Sequence, residues 1–252
     1  MRSTTRHQLK QNSFAETTVE TISWAKDHDK QLTAAAIVVA IVVALFIGGY
    51  AFVNYRNQQA SQELSGALQK YNAAIRPAGE PASPLQLSYA SGAERAKAAN
   101  ADFTRIADKY SFTRNGRIAR YFSGVTLHDM GDNAGAEKQL QGVAGSWDKE
   151  TASLAKLALA SIFQDAGKTQ QAVDLYKALI DKPTTTVGKT TAQFELANLY
   201  ETSHQPLEAM KLYETMQKDN PTSPVGQLAS QKLQSLRPPQ MQQQAPPQAP
   251  PQ

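Results

Sequence analysis

The residues able to do chemistry are few and scattered. The chain has four histidines, His7, His28, His128 and His204, and no cysteine. No pair of histidines brackets a glutamate at HExxH spacing, and three or four convergent ligands are what a zinc site needs. There is no GxGxxG turn and no phosphate loop, so no backbone cradle for a nucleotide is expected. Without cysteine there is no disulfide, no thiolate metal site and no lipid-modified cysteine anchor. Asp and Glu are spread over positions expected to be solvated helix faces. His128 and His204 fall in expected turns between helices. His7 and His28 precede a long apolar run and are expected on the other side of a membrane from them. These residues supply no nucleophile–base pair and no metal centre. The expectation is a protein that is not an enzyme, holds no cofactor and takes no small-molecule substrate.

Charge is equally uninformative about chemistry. The net charge is +4 over 252 residues, and the one local basic group is Arg105, Lys109, Arg114, Arg117 and Arg120. That group is read as a solvated helix face, and no nucleic-acid partner is expected. Recognition of other proteins by a surface is the remaining class, so the elements that would build such a surface carry the argument.

The first element is an anchor. Leu32–Val53 reads LTAAAIVVAIVVALFIGGYAFV, without a charge. At about 1.5 Å per residue it is about 33 Å long, enough to cross a hydrocarbon core of about 30 Å. Its length and its Gly48-Gly49-Tyr50 end argue against a cleaved signal peptide, whose apolar region is about 7–15 residues. The head, residues 1–31, carries Arg2, Arg6, Lys10, Lys26 and Lys30. A short basic head before a large domain points to an N-terminus in the cytoplasm and the rest outside. Trp24, Tyr50 and Tyr55 suit interfacial positions, and Ser13-x-x-Glu16 suits a helix cap. Residues 54–85 are read as a helical stalk and linker. Leu64, Leu68, Tyr71 and Ile75 form one stripe, and Pro77, Gly79, Pro81 and Pro84 break the helix.

The second element is a repeat over residues 86–236. Ala99, Ala136, Ala172 and Ala209 stand 37, 36 and 37 apart. Four residues after each come Phe103, Leu140, Tyr176 and Tyr213, and seven after each come Ile106, Val143, Leu179 and Met216. Twelve before the last three alanines stand Gly124, Ala160 and Ala197, with Leu127, Phe163 and Tyr200 three residues later. A turn then precedes each alanine. Each unit reads as two helices with a short turn, small residues at the close crossing and larger ones along one face. One such pair cannot bury its apolar face alone, so neighbours must stack. Three full units are expected, preceded by a half unit at 86–111. A capping helix over 224–236 is expected to turn Leu228, Leu233 and Leu236 inward. Residues 237–252, RPPQMQQQAPPQAPPQ, are too poor in apolar residues to fold and are expected to be a disordered or polyproline II tail.

These columns resemble the tetratricopeptide repeat (TPR), most fully in Ala197, Tyr200, Ala209, Tyr213 and Asn220-Pro221. The usual early Trp is absent, with Arg120, Lys156 and Gln193 in its column. The expected fold is all-α: one N-terminal transmembrane helix followed by a TPR-like α-solenoid of helix-turn-helix repeats. The resemblance implies a groove lined by the first helix of each unit. Its positions correspond to Ile118, Tyr121, Val125 and His128, then Leu154, Leu157, Ser161 and Gln164, then Thr191, Phe194, Asn198 and Glu201. The alternative for Leu154 and Leu157 is that they are core. A carboxylate clamp is not implied, because Asn198 has no matching lysines. An apolar-aromatic groove suits a helix or an extended apolar segment.

The whole layout resembles the ancillary Sec-translocon subunits, bacterial inner-membrane proteins with a periplasmic TPR domain. The long head and the Pro/Gln tail depart from that family. The resemblance implies a single-pass protein of the bacterial inner membrane with a periplasmic interaction domain. It also implies the Sec translocon and periplasmic chaperones as partners. The alternative function is a structural scaffold of a cell-envelope or division complex, acting through self-association.

Overall fold

The structure is a computed structural model that describes residues 28–83 and 85–236. His7, Trp24, the Ser13-x-x-Glu16 pattern, Pro84 and the Pro/Gln segment lie outside the described residues. So does all of the head before His28. Two compact units divide at Tyr55/Arg56. The first contributes helix α1, Asp29–Tyr71, which continues into the second. By length and composition α1 is apolar enough to cross a membrane, and none of its most apolar window is buried.

In the second unit, α1 is followed by β1 (Ala74–Ile75), β2 (Ser88–Tyr89), α2 (Gly92–Lys109), α3 (Arg114–Asp129) and α4 (Asn133–Ala144). Then come α5 (Lys149–Asp165), α6 (Thr169–Asp181), α7 (Lys189–Thr202), α8 (Pro206–Asp219) and α9 (Pro224–Leu236). The two strands pair in parallel over two residues each, Ala74 with Ser88 and Ile75 with Tyr89, and staple the ends of the proline-bearing loop. Consecutive helices from α2 to α9 pack on one another, and α3 also touches α5. That pairing is the TPR-like solenoid expected from the repeat.

The columns of the repeat are its core. Ala99, Ala136, Ala172 and Ala209 are fully buried, as are Phe103, Leu140, Ile106, Val143, Tyr213 and Met216. Burying a Phe, Leu or Met side chain contributes roughly 1.5–3 kcal/mol, so these positions dominate each unit's stability. Gly124 stands where α3 meets α4 most closely. A Cβ there would lie 2.6 Å from Leu140 Cγ and 3.3 Å from the Ala136 carbonyl oxygen. The turns repeat too. Gly131 and Gly167 have φ +83° and +70°, and His204, in the same column, has φ 57°. A side chain other than glycine is strained in that left-handed conformation.

Two junctions share a second device. Thr113 Oγ1 accepts from Gly116 N at 3.0 Å, and Ser223 Oγ accepts from Gly226 N at 3.1 Å. A Cβ at either glycine would fall 1.9 Å from the carbonyl oxygen of Tyr110 or Asn220. Only glycine admits so tight a turn.

Three details differ from the sequence reading. The unit at 86–111 is not a half unit. Ala60, Leu64 and Ala67 of α1 are buried against Ala99, Phe103 and Ile106 of α2, so residues 56–71 act as its first helix. Ion pairs join the two. The Glu63 carboxylate takes Lys109 Nζ at 2.8 Å and the Tyr110 hydroxyl at 2.7 Å, and also pairs with Arg105. Those donors hold the Glu63 carboxyl down to about 2. Ile75 leaves the expected stripe: α1 ends at Tyr71, and Ile75 is an exposed strand residue. In α9, Leu233 is buried and Leu236 half-buried, but Leu228 points outward. Ala229 takes the inward place, because Val225, Ala229, Leu233 and Leu236 share the helix face that meets α8.

Candidate protein-interaction surface

The first helix of each unit carries the candidate residues. Ile118, Tyr121, Val125 and His128 lie on α3, and all are half-buried. Ile118 rests on the first core cluster and Tyr121 on the central one. The Tyr121 ring meets Phe122 edge-on at 5.1 Å, and burial pushes its phenol pKa up. His128 Nδ1 is 2.7 Å from Asn133 Oδ1, and its Nε2 is 3.8 Å from Asp165 Oδ2 of the next unit.

On α5, Leu154 and Leu157 are half-buried against the same central cluster as Tyr121. Ser161 is exposed and Gln164 half-buried. Gln164 also lines a cleft of about 590 Å³ with Asp165, Thr169, Leu199, Ser203 and Gln205, between the turns of two successive units.

On α7, Thr191 is exposed. Phe194 belongs to the terminal cluster and meets Tyr213 edge-on at 6.2 Å. Asn198 and Glu201 are engaged within the fold. The Tyr213 hydroxyl donates to Glu201 Oε1 at 2.6 Å and to Asn198 Oδ1 at 3.2 Å. Lys232 of α9 closes on Glu201 at 3.2 Å. Burial, and then Glu201, push the Tyr213 phenol pKa up. Tyr121 and Leu157 therefore share one cluster and Phe194 sits on the next.

The basic group is largely neutralised locally. Arg105 and Lys109 share Glu63, Arg120 meets Asp108 at 3.4 Å, and Arg114 meets Asp148 at 3.5 Å. Exposed pairs of this kind are worth about 0–1 kcal/mol, so they place side chains more than they stabilise. Arg117 differs: its guanidinium lies 4.1 Å from the centre of the Trp147 ring, and burial lowers its pKa. Trp147 is 77% exposed, the most open aromatic of the described repeats. Nothing in its sequence neighbourhood signals that stack. One core column, by contrast, was readable and was missed. Ala119, Ala155, Ala192 and Ala229 stand 36, 37 and 37 apart and are all fully buried.

Among the described residues no three His, Asp or Glu side chains gather as a metal site.

No curated protein matches the sequence. Two crystal structures of nearly identical TPR-like repeats, from a Podosopora anserina chain described as a kinesin light chain, are similar over part of this chain. One has a TM-score of 0.49 at 17% identity, over 56% of this chain and 77% of that one. The other, a point variant of the same protein, has a TM-score of 0.48 at 16% identity over the same shares. The family model described as a tetratricopeptide repeat-like domain matches residues 23–236. Domains of this kind bind other proteins and are typically non-catalytic scaffolds. By sequence pattern, helix pairing and family match together, the chain belongs to the tetratricopeptide repeat-like domain family.

Proposed function

We propose that this protein is a membrane-tethered adaptor that presents its repeat domain to partner proteins outside the cytoplasmic membrane. The observation that carries the reading is α1. One continuous helix has an apolar, wholly unburied N-terminal part and a C-terminal part, residues 56–71, built into the first repeat. A helix of that composition is stable in lipid. The proposed domain division is a cytoplasmic head at 1–31, a span at 32–53, a stalk at 54–85 whose residues 56–71 double as the first helix of the opening repeat, repeats at 86–236 and a tail at 237–252. The basic head supports an inner-membrane, single-pass orientation with the repeats in the periplasm. The layout supports an ancillary translocon subunit that assists export or chaperone hand-over.

The proposed binding face is the row Tyr121, Leu157 and Phe194, with Ile118, Val125, His128, Ser161, Gln164, Asn198 and Glu201 around it. Aromatic residues near the centre of an interface are common binding hot spots. The test is affinity capture of the full chain from detergent extracts, with Tyr121→Ala as the variant. Translocon and chaperone components should copurify, and the variant should lose roughly thirtyfold in affinity, about 2 kcal/mol. Capture of division proteins instead, or unchanged capture by a variant of unchanged melting temperature, would refute the reading. Protease added to spheroplasts should digest the repeats and spare the head.

A further inference from the structure

Of the residues lining the cleft between the two middle turns, Gln164 alone belongs to the proposed adaptor face. The cleft is lined by Gln164, Thr169, Ser203 and Gln205, with Asp165, while Leu199 behind them is 1% exposed. The side chains of those four wall residues make no hydrogen bond among the described residues. Their amides and hydroxyls are therefore free donors around the cleft. A volume of about 590 Å³ lies within the range of about 300–1,000 Å³ typical of ligand clefts.

The sequence contains a segment of complementary chemistry. Residues 237–252 hold six prolines and six glutamines, with Pro-Pro-Gln three times, one cation and no anion. Proline has a carbonyl and no N–H, so such a segment has a surplus of acceptors and an apolar ring at most turns. Proline-rich segments favour polyproline II, which loses little entropy when a groove takes it. The segment also starts in the right place. Lys232 of α9 bonds both carboxylate oxygens of Glu201 at 3.2 Å, and Glu201 lies two residues before Ser203 of the cleft. Leu236, only about 6 Å of helix beyond Lys232, is held against the terminal core cluster. Sixteen residues in polyproline II reach about 50 Å.

We propose that this cleft is a binding site for an extended proline- and glutamine-rich segment, and that residues 237–252 of this chain occupy it in cis. Gln164, Thr169, Ser203 and Gln205 supply the donors for the segment's surplus of carbonyl acceptors.

The test uses the full chain in detergent and a fluorescent peptide of sequence RPPQMQQQAPPQAPPQ. Two chains are compared: the intact one, and one whose residues 237–252 are replaced by Gly and Ser at equal length. A tethered segment competes at an effective concentration in the millimolar range. The peptide should therefore bind the replaced chain at least tenfold more tightly than the intact one. Adding Gln164→Ala and Gln205→Ala to the replaced chain should weaken it severalfold. Equal binding to both chains, or binding to neither, overturns the occupancy in cis. A preference for the replaced chain that the two cleft substitutions leave unchanged overturns the assignment of the cleft.

Discussion

Gly124→Ala tests the close approach on which the repeat rests. In an exposed helix interior this change stabilises by about 0.8–1.0 kcal/mol, because alanine is the better helix former. At Gly124 the new methyl would stand 2.6 Å from Leu140 Cγ and 2.9 Å from its Cδ2. Leu140 is fully buried, so it has no open space to swing into. Overpacking of this kind costs about 1–3 kcal/mol. The overlap should outweigh the propensity gain and leave a net loss of about 1 kcal/mol. For a domain of this size that lowers the melting temperature by about 2–4 °C. Gly66 is the control. It lies in the helical stretch 56–71 with nothing within 4 Å of an added Cβ, so Gly66→Ala should raise the melting temperature. The assay is thermal unfolding of the full chain in one detergent, followed by circular dichroism. A second variant, Leu140→Ala in the Gly124→Ala background, removes the clashing atoms and should show favourable coupling in a double-mutant cycle. If Gly124→Ala is as stable as Gly66→Ala, then α3 and α4 do not approach as described and the repeat register is wrong.

Three further outcomes follow from particular residues. Ala172→Leu should destabilise by about 1–3 kcal/mol, because Ala172 is fully buried in its column, while Ala178→Leu on the exposed face of α6 should be near neutral; equal melting shifts would contradict the packing. His204→Gly should stabilise by about 0.5–1 kcal/mol by relieving a left-handed side chain, measured by urea unfolding at constant m-value; a loss of stability would show that the imidazole is needed there. Glu63 titrates at about 2 in the fold against an ordinary value of 4.5, so its contribution is complete above about 4.5 and vanishes as pH falls through 2. Wild type should therefore melt above Glu63→Gln at neutral pH, with the gap closing between about pH 4.5 and 2; a gap independent of pH would rule out the ionised carboxylate as its source.

Local pattern was enough for most of the fold. A helix returns to the same face every three to four residues, so Ala172, Tyr176 and Leu179 must share a side wherever that helix lies. When the same triplet recurs at 36 or 37 residues, stacking is the one way to bury every copy. An uncharged run of 22 residues, Leu32–Val53, likewise states its preference for an apolar surrounding without reference to the rest of the chain. What the sequence alone could not decide were the places where partners are distant or the period is broken. The first helix of the opening unit lies across the inserted loop from Ala99, so the helical stripe named Leu64, but no column pointed to Ala60 and Ala67; burial against Phe103 and Ile106 assigned them. Leu228 and Ala229 differ by one position, about 100° of helix rotation, and only the packing of α9 on α8 chose between them. The candidate surface shows the same division. Tyr121, Leu157 and Phe194 stand at one repeat position, 36 and 37 residues apart, and the packing divides them, Tyr121 and Leu157 against the central cluster and Phe194 against the terminal one. That the hydroxyl of Tyr213 engages Asn198 and Glu201, and that Lys232 closes on Glu201, depends on contacts 12 to 31 residues apart. Such contacts arise only when separate helices meet, and no property of the individual residues announces them.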